Sequence, residues 1–234
     1  LISIGISTGL SYLLKPRNIQ GEFIQASYRS SAAILGIAII QNLYGNAGMA
    51  PLMIIGSVPL YNIMAVTTLS LFAPGGGKLD TAKLIKTLKG IATNPIILGI
   101  LTGMIWSLLH FPMPAILETS VNNPGKTATP LGLMAMGGAL KFGKAFARPK
   151  PLIACTFLKL AGYEAVFLPI AVMLGFSHDM LVAIIIMLGS ATTVSCYIMA
   201  KNMNYDGDFT SGVVMTTTLF SSFTMTIWLY ICRS

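Results

Sequence analysis

Eight apolar stretches divide the sequence, and seven of them are long enough to cross a bilayer as helices. About 20 apolar residues in a helix span the ~30 Å hydrocarbon core of a membrane. The short stretch Leu1–Leu14 comes first, and the long ones are Phe23–Leu43, Ala50–Phe72, Ile91–Phe111, Ala115–Leu140, Leu152–Phe176, Met180–Ala200 and Phe209–Cys232. The pattern predicts an all-α integral membrane protein with about eight transmembrane helices. Polar residues at 122–126 interrupt the fifth stretch, which is predicted to be one weak span or two shorter pieces.

Basic residues alternate between the connections, which predicts the sidedness of the chain. Twelve of the 15 Lys and Arg residues follow the first, third, fifth and seventh stretches. They are Lys15, Arg17, Arg29, Lys78, Lys83, Lys86, Lys89, Lys141, Lys144, Arg148, Lys150 and Lys201. Because Lys and Arg are enriched on the cytoplasmic side of membrane proteins, these connections are predicted to be cytoplasmic and both chain ends to lie outside.

Composition favours the same class of protein. Hydrophobic residues make up 54% of the 234 residues and charged residues 9%, whereas an average soluble domain has about 25% charged residues. The mean hydropathy is +0.76. So few charges cannot form the polar coat of a soluble enzyme, a nucleic-acid-binding protein or a disordered chain. The net charge of +8 is attributed to the positive-inside bias rather than to a nucleic-acid partner.

Residues for catalysis or metal binding are not grouped in the sequence. No His, Asp or Glu cluster has metal-ligand spacing, and no nucleophile–base pair is visible. Cys155, Cys196 and Cys232 lie in apolar stretches and form no CxxC motif. We therefore predict no enzymatic activity, no catalytic residue, no metal and no cofactor. The glycine-rich connection 73–90 lacks a nucleotide-binding motif, and its lysines predict a hinge and a basic helix lying on anionic lipid.

Two stretches have small hydroxyl residues and glycine at their middles, where apolar residues are expected. The predicted substrate-binding residues are Ser30, Ser31, Gly36, Ser190, Thr192, Thr193 and Ser195. A shift of 160 residues aligns Ser30 with Ser190, and each run lies in the middle of three consecutive stretches. The two triplets are predicted to enter the membrane from opposite sides, as in inverted-repeat transporters with unwound helices. Close helix packing is the alternative interpretation of these residues.

Two charged residues lie inside the sixth stretch. Lys159 and Glu164 are five residues apart, which places their side chains about 140° apart around a helix. Charges within a membrane suggest function by default. We interpret Glu164 as a candidate for proton coupling and Lys159 as a side chain that snorkels toward the cytoplasmic end. A structural ion pair between them is the alternative.

Four motifs resemble those of the auxin efflux carrier family of membrane transport proteins, and the resemblance extends over essentially the whole chain. The matching segments are Tyr28-Arg29-Ser30-Ser31-x-x-Ile34-Leu35-Gly36-Ile37, Asn94-Pro95, Pro130-Leu131-x-Leu133-x-x-x-Gly137 and Ser190-Ala191-Thr192-Thr193-Val194-Ser195-x-Tyr197. The family asparagine corresponds to Ser31, and its crossover prolines correspond to Ala38 and Ala191.

The resemblance implies a partial inverted repeat with two crossing, discontinuous helices, similar to elevator transporters of the bile-acid/sodium symporter type. Residues 1–234 would form a single transporter domain containing family helices three to ten, with the cytoplasmic connection 73–90 between the repeats. The first two family helices would be absent, as in a fragment or a truncated member.

The expected function is secondary active transport of a small organic anion across a bacterial cytoplasmic membrane. Relatives suggest malate- or malonate-like carboxylates as the substrate. Expected partners are this anion and membrane lipid but not nucleic acid, and a homodimer is left open. The alternative is a truncated or divergent membrane scaffold or regulatory protein that does not transport.

Overall fold

Helices make up the computed structural model, which describes residues 1–15, 17–32, 39–41, 50–73, 85, 89–90, 92–93 and 95–233. This part of the chain contains no strand, and the all-α prediction is confirmed. The α-helices are α1 (Ile2–Ser11), α2 (Gln20–Tyr28), α3 (Ala50–Leu71), α4 (Pro95–Leu108), α5 (Ala115–Ala139), α6 (Phe142–Ala145), α7 (Pro149–Phe157), α8 (Tyr163–Met173), α9 (His178–Gly189), α10 (Ser195–Asn202) and α11 (Asp208–Arg233). A 3₁₀ turn, Arg17–Ile19, precedes α2, and a π-helical turn, Leu158–Gly162, joins α7 to α8.

Helices long and apolar enough to cross a membrane are present in the described residues. Three segments meet both conditions: Met53–Leu71, Pro149–Met173 and Asp208–Cys232. Shorter apolar helices occupy Ile2–Ser11, Ile97–Leu108 and His178–Gly189. An integral membrane protein is therefore supported by length and composition, and the total of eight spans stays a prediction.

The fifth apolar stretch forms one continuous helix rather than two pieces. Helix α5 runs through Asn122, Asn123, Pro124 and Gly125 without a break. The hydroxyl of Thr127 donates to the backbone carbonyl oxygens of Asn123 and Pro124, at 3.3 and 3.0 Å. Asparagine and glycine each cost a helix at most about 1 kcal/mol and proline about 3 kcal/mol, and α5 continues in spite of this cost. The prediction that this stretch could divide is therefore wrong.

Helix α2 lies at the centre of the fold. It packs against α1, α3, α7, α10 and α11, and all nine of its residues are buried. The carboxylate of Glu22 accepts hydrogen bonds from the backbone N–H and the hydroxyl of Thr210, at 3.0 and 2.6 Å. Thr210 lies in the first turn of α11, where unpaired N–H groups and the helix dipole favour an anion. The start of α2 is thereby fixed to the start of α11.

Two helices are interrupted where the sequence has its hydroxyl runs. The backbone becomes extended at Arg29 (φ −78°, ψ 131°), directly after α2. It becomes extended again at Ser190 (φ −66°, ψ 151°), directly after α9, and a helix resumes only at Ser195. Ala191 within the second interruption has a backbone N–H group, so a missing N–H donor is not the cause of this break. Interruptions leave polar backbone groups that need other partners.

Candidate functional site

The two interrupted segments lie against each other and are joined by hydrogen bonds. The backbone N–H of Ser31 donates to the carbonyl oxygen of Ala191 at 2.9 Å. The hydroxyl of Thr192 donates to the carbonyl oxygen of Ala26 at 2.9 Å, near the end of α2. The side-chain amide of Gln25 donates to the carbonyl oxygen of Cys196 at 3.0 Å, at the start of α10. The first two of these bonds supply partners for polar groups at the breaks, and the third joins the flanking helices. We name residues 29–31 together with 190–195 the crossing.

The predicted substrate-binding residues divide by exposure. Ser30, Ser31, Thr193 and Ser195 are half-buried, whereas Ser190 and Thr192 are buried. The backbone N–H of Thr192 also donates to the hydroxyl of Thr217 at 3.1 Å, so both hydrogen-bond donors of this residue are occupied. The hydroxyl groups of Thr193 and Ser195 lie 3.2 Å apart. Four of the predicted residues thus keep part of their surface exposed, and Gly36 lies outside the described residues.

A buried guanidinium group lies at the crossing. Arg29 is 3% exposed and donates to the hydroxyl of Ser195 and to the amide oxygen of Asn62, both at 2.9 Å. A third contact reaches the sulfur of Met199 at 3.5 Å. All three described acceptors are uncharged. A buried cation that is not paired with an acid is costly, and its field favours an anion nearby.

A second buried cation reaches the crossing from the π-helical turn. Lys159 is fully buried, and its ammonium group donates to the hydroxyl of Ser30 and to the carbonyl oxygen of Leu188. The interpretation that Lys159 snorkels toward the cytoplasm is therefore wrong, because the side chain turns inward to two oxygen atoms. The same turn presents the carbonyl oxygen of Leu160, which accepts a hydrogen bond from the indole of Trp228 at 3.2 Å. Such π turns inside α-helices often lie at functional sites.

The carboxyl group of Glu164 lies close to the second break. Glu164 is fully buried, and among the described residues neither of its oxygen atoms has a hydrogen-bond partner. A Cβ atom added at Gly189 would collide with this carboxyl group, so the glycine leaves room for it. The buried hydroxyl of Ser190 has no described partner either.

Comparison with known families decides the class of this protein. The family model described as membrane transport protein matches residues 1–229. The chain belongs to this membrane transport protein family. The resemblance to auxin efflux carriers is thereby confirmed, and no curated protein sequence matches the chain. Since the match extends over nearly all of the chain, the described helices of this membrane transport protein are those of a membrane-embedded transporter family.

Arg29 is the site residue that the sequence interpretation missed in this membrane transport protein. The charge alternation counted it among the cytoplasmic basic residues, yet it is buried between Asn62 and Ser195. One available signal was its position directly before Ser30 and Ser31, inside the matching motif. Asn62 carried no such signal, because a single amide within the apolar helix α3 is equally typical of helix packing.

Proposed function

We propose that this chain is a secondary active transporter that moves a small organic anion, a carboxylate, across the cytoplasmic membrane. The substrate binds at the crossing, where the proposed contacts are Ser30, Ser31, Gly36, Ser190, Thr192, Thr193 and Ser195. Membership in a transporter family supports transport as the activity. The choice of an anion and of the crossing rests on the arrangement of charges there.

The observation that carries the proposal is the guanidinium of Arg29, which has uncharged acceptors and lies beside half-buried hydroxyl groups. Helix α10 begins at Ser195, so the end of its dipole that carries partial positive charge lies at the crossing and favours negative charge. A carboxylate placed between Arg29 and the start of α10 would receive charge-assisted hydrogen bonds, which are about twice as strong as neutral ones. A cationic or apolar substrate would gain nothing from this arrangement.

The transport cycle that fits this site is an elevator movement of the crossing helices as one unit. Hydrogen bonds between the two breaks join α2 to α9 and α10, which supports movement of these segments together. Glu164 is the proposed site of proton coupling. Its buried carboxyl group has no described hydrogen-bond partner and lies beside Gly189, directly before residues 190–195, which contain four proposed substrate contacts.

Uptake into liposomes tests the proposal. The purified chain is reconstituted, and uptake of radiolabelled malate and malonate is compared with uptake of neutral and cationic compounds of similar size. We expect carboxylate uptake that exceeds that of protein-free liposomes. Arg29→Gln should lower this uptake about tenfold or more, because a hydrogen bond from a charged group contributes about 1.5–3 kcal/mol.

Arg148→Gln is the matched control, because Arg148 donates to Asn18 in an exposed contact away from the crossing. Its uptake should equal that of the unaltered chain. Uptake of a cation in place of carboxylates would contradict the proposed substrate class. No uptake above protein-free liposomes, from correctly folded protein, would favour the alternative of a membrane scaffold.

A further inference from the structure

Lys159 connects three separate segments of the fold through one ammonium group. The residue belongs to the π-helical turn between α7 and α8. Its ammonium donates to the hydroxyl of Ser30, in the first break, and to the carbonyl oxygen of Leu188, near the end of α9. The side chain is fully buried, so water does not supply a competing partner. Lys159 thus joins both interrupted segments at the point where they cross.

The oxygen atoms that receive this ammonium are of the kind that bind monovalent cations. The last four carbonyl groups of a helix have no partner within the helix, and its C-terminal end carries partial negative charge. Leu188 is the penultimate residue of α9. In transporters with interrupted helices, unwound carbonyl groups and half-helix C-termini coordinate sodium or protons. Here a carbonyl and a hydroxyl oxygen of that type hold a lysine side chain instead.

An ion pair does not account for the position of Lys159. Glu164 is the acidic residue nearest in sequence, and in the described residues neither of its carboxyl oxygens accepts a hydrogen bond. The other titratable groups that act on the ammonium are the thiols of Cys155 and Cys196, which are both buried. The ammonium therefore lies at the crossing although a carboxyl group is available on the same helix. The oxygen atoms of Ser30, in the first break, and of Leu188, near the end of α9, determine where it binds.

We propose that Lys159 is a built-in counter-ion of the crossing, whose ammonium occupies the position that a bound monovalent cation would otherwise take. The positive charge offsets the carbonyl end of α9 and holds it against Ser30. The chain consequently needs no sodium to keep the two interrupted helices together. Removing the ammonium opens a site for a small external cation. Lys159 is therefore a positioning residue that holds the end of α9 against Ser30. The residues of the proposed site, and not Lys159, contact the substrate.

Thermal unfolding of the purified protein in detergent tests this inference without reference to any substrate, so it can fail independently of the proposed function. The salts compared are sodium chloride, methylammonium chloride and choline chloride at equal ionic strength. The unaltered chain should have the same midpoint temperature in all three salts. Lys159→Ala should have a lower midpoint in choline, and sodium or methylammonium should raise it, because binding to the folded state stabilises it.

Lys159→Arg and Lys159→Gln keep the test informative if the alanine variant does not fold. The arginine variant retains the charge and should be insensitive to the choice of salt. The glutamine variant retains a hydrogen-bond donor but not the charge, and should be stabilised by sodium. A sodium requirement of the unaltered chain would overturn the inference. Equal stability of Lys159→Gln and the unaltered chain in choline would also overturn it, as would folded lysine variants that respond to no cation.

Discussion

Arg29 and Ser195 belong to different interrupted segments, 166 residues apart in the chain, yet the guanidinium of one donates to the hydroxyl of the other at 2.9 Å. Arg29 is the first residue after α2, and Ser195 is the first residue of α10. The contact therefore links the C-terminal end of one half-helix to the N-terminal end of another. The guanidinium of Arg29 lies near the C-terminal end of α2, which carries partial negative charge. The N-terminal end of α10 carries partial positive charge and therefore favours an anion.

The first prediction concerns this contact. Ser195→Ala should weaken carboxylate uptake about twofold to tenfold, because one neutral hydroxyl contact contributes about 0.5–1.5 kcal/mol. Arg29→Lys should weaken it further, since lysine keeps the charge but loses the planar fork that reaches Ser195 and Asn62 together. Concentration dependence of uptake measures both effects. If Arg29→Lys and Ser195→Ala each transport like the unaltered chain, the guanidinium does not organise the substrate site.

The second prediction compares Thr192, a proposed substrate contact that also holds the crossing together, with Thr193, a proposed contact that does not. Thr192→Val removes the hydroxyl that donates to the carbonyl oxygen of Ala26. An unpaired buried carbonyl group costs about 1–3 kcal/mol, so the midpoint of thermal unfolding should fall. Thr193→Val is the matched control, because its half-buried hydroxyl contacts only Ser195 among the described residues. This variant should unfold at nearly the original temperature but bind carboxylate more weakly. Equal unfolding temperatures of the two variants would contradict the assignment.

Hydrophobic patterning predicted the class of the fold and the places where two helices break. The break after α9 was predicted from Ser190, Thr192, Thr193 and Ser195, whose side chains can replace backbone partners. The structure shows Thr192 doing this for the carbonyl of Ala26. The family prolines suggested that such breaks depend on a missing N–H group. Hydrogen bonds between the segments maintain the break at Ala191 instead, and these depend on tertiary contacts that no local pattern contains.

The burial of charged residues could not be predicted from the sequence for the same reason. Arg29 follows a connection that was predicted to be cytoplasmic, and Lys159 was interpreted as a side chain that snorkels toward the cytoplasmic end. Both face inward because the oxygen atoms of Asn62, Ser195 and Leu188 come from distant helices. A single sequence shows which residues are charged. The hydrogen-bond acceptors that lower the cost of burying those charged side chains come together only in the folded chain.

The third prediction concerns the close approach of α11 and α6. A Cβ atom at Gly212 would lie 2.7 Å from the backbone carbonyl oxygen of Ala145, and a backbone atom cannot move aside cheaply. Gly212→Ala should therefore destabilise the protein by about 1–3 kcal/mol. Gly125→Ala in α5 is the control, since no atom lies within 4 Å of its added Cβ. That change should be neutral or stabilising by up to about 1 kcal/mol. Thermal unfolding in detergent compares them, and a stable Gly212→Ala protein would refute the close contact.

The last prediction concerns Glu164 and the driving force of transport. Lys159 and Cys232 are the titratable groups that interact with its carboxyl group, and Trp228 of α11 also faces it. If Glu164 carries the coupled proton, a pH gradient across the liposome membrane should alter the rate of carboxylate uptake. Glu164→Gln mimics the protonated form and should abolish this dependence while leaving exchange of carboxylate at equal pH intact.

Two matched variants complete the measurement of proton coupling. Glu118→Gln changes an exposed carboxyl group in α5 and should keep the full response to a pH gradient. Gly189→Ala places a methyl group against the Glu164 carboxyl group, so the carboxyl group must move, and the pH at which uptake changes should shift. Retention of the gradient response in Glu164→Gln would assign coupling to another residue. Loss of folded protein in both Glu164→Gln and Lys159→Met, restored when the two changes are combined, would instead establish a structural ion pair.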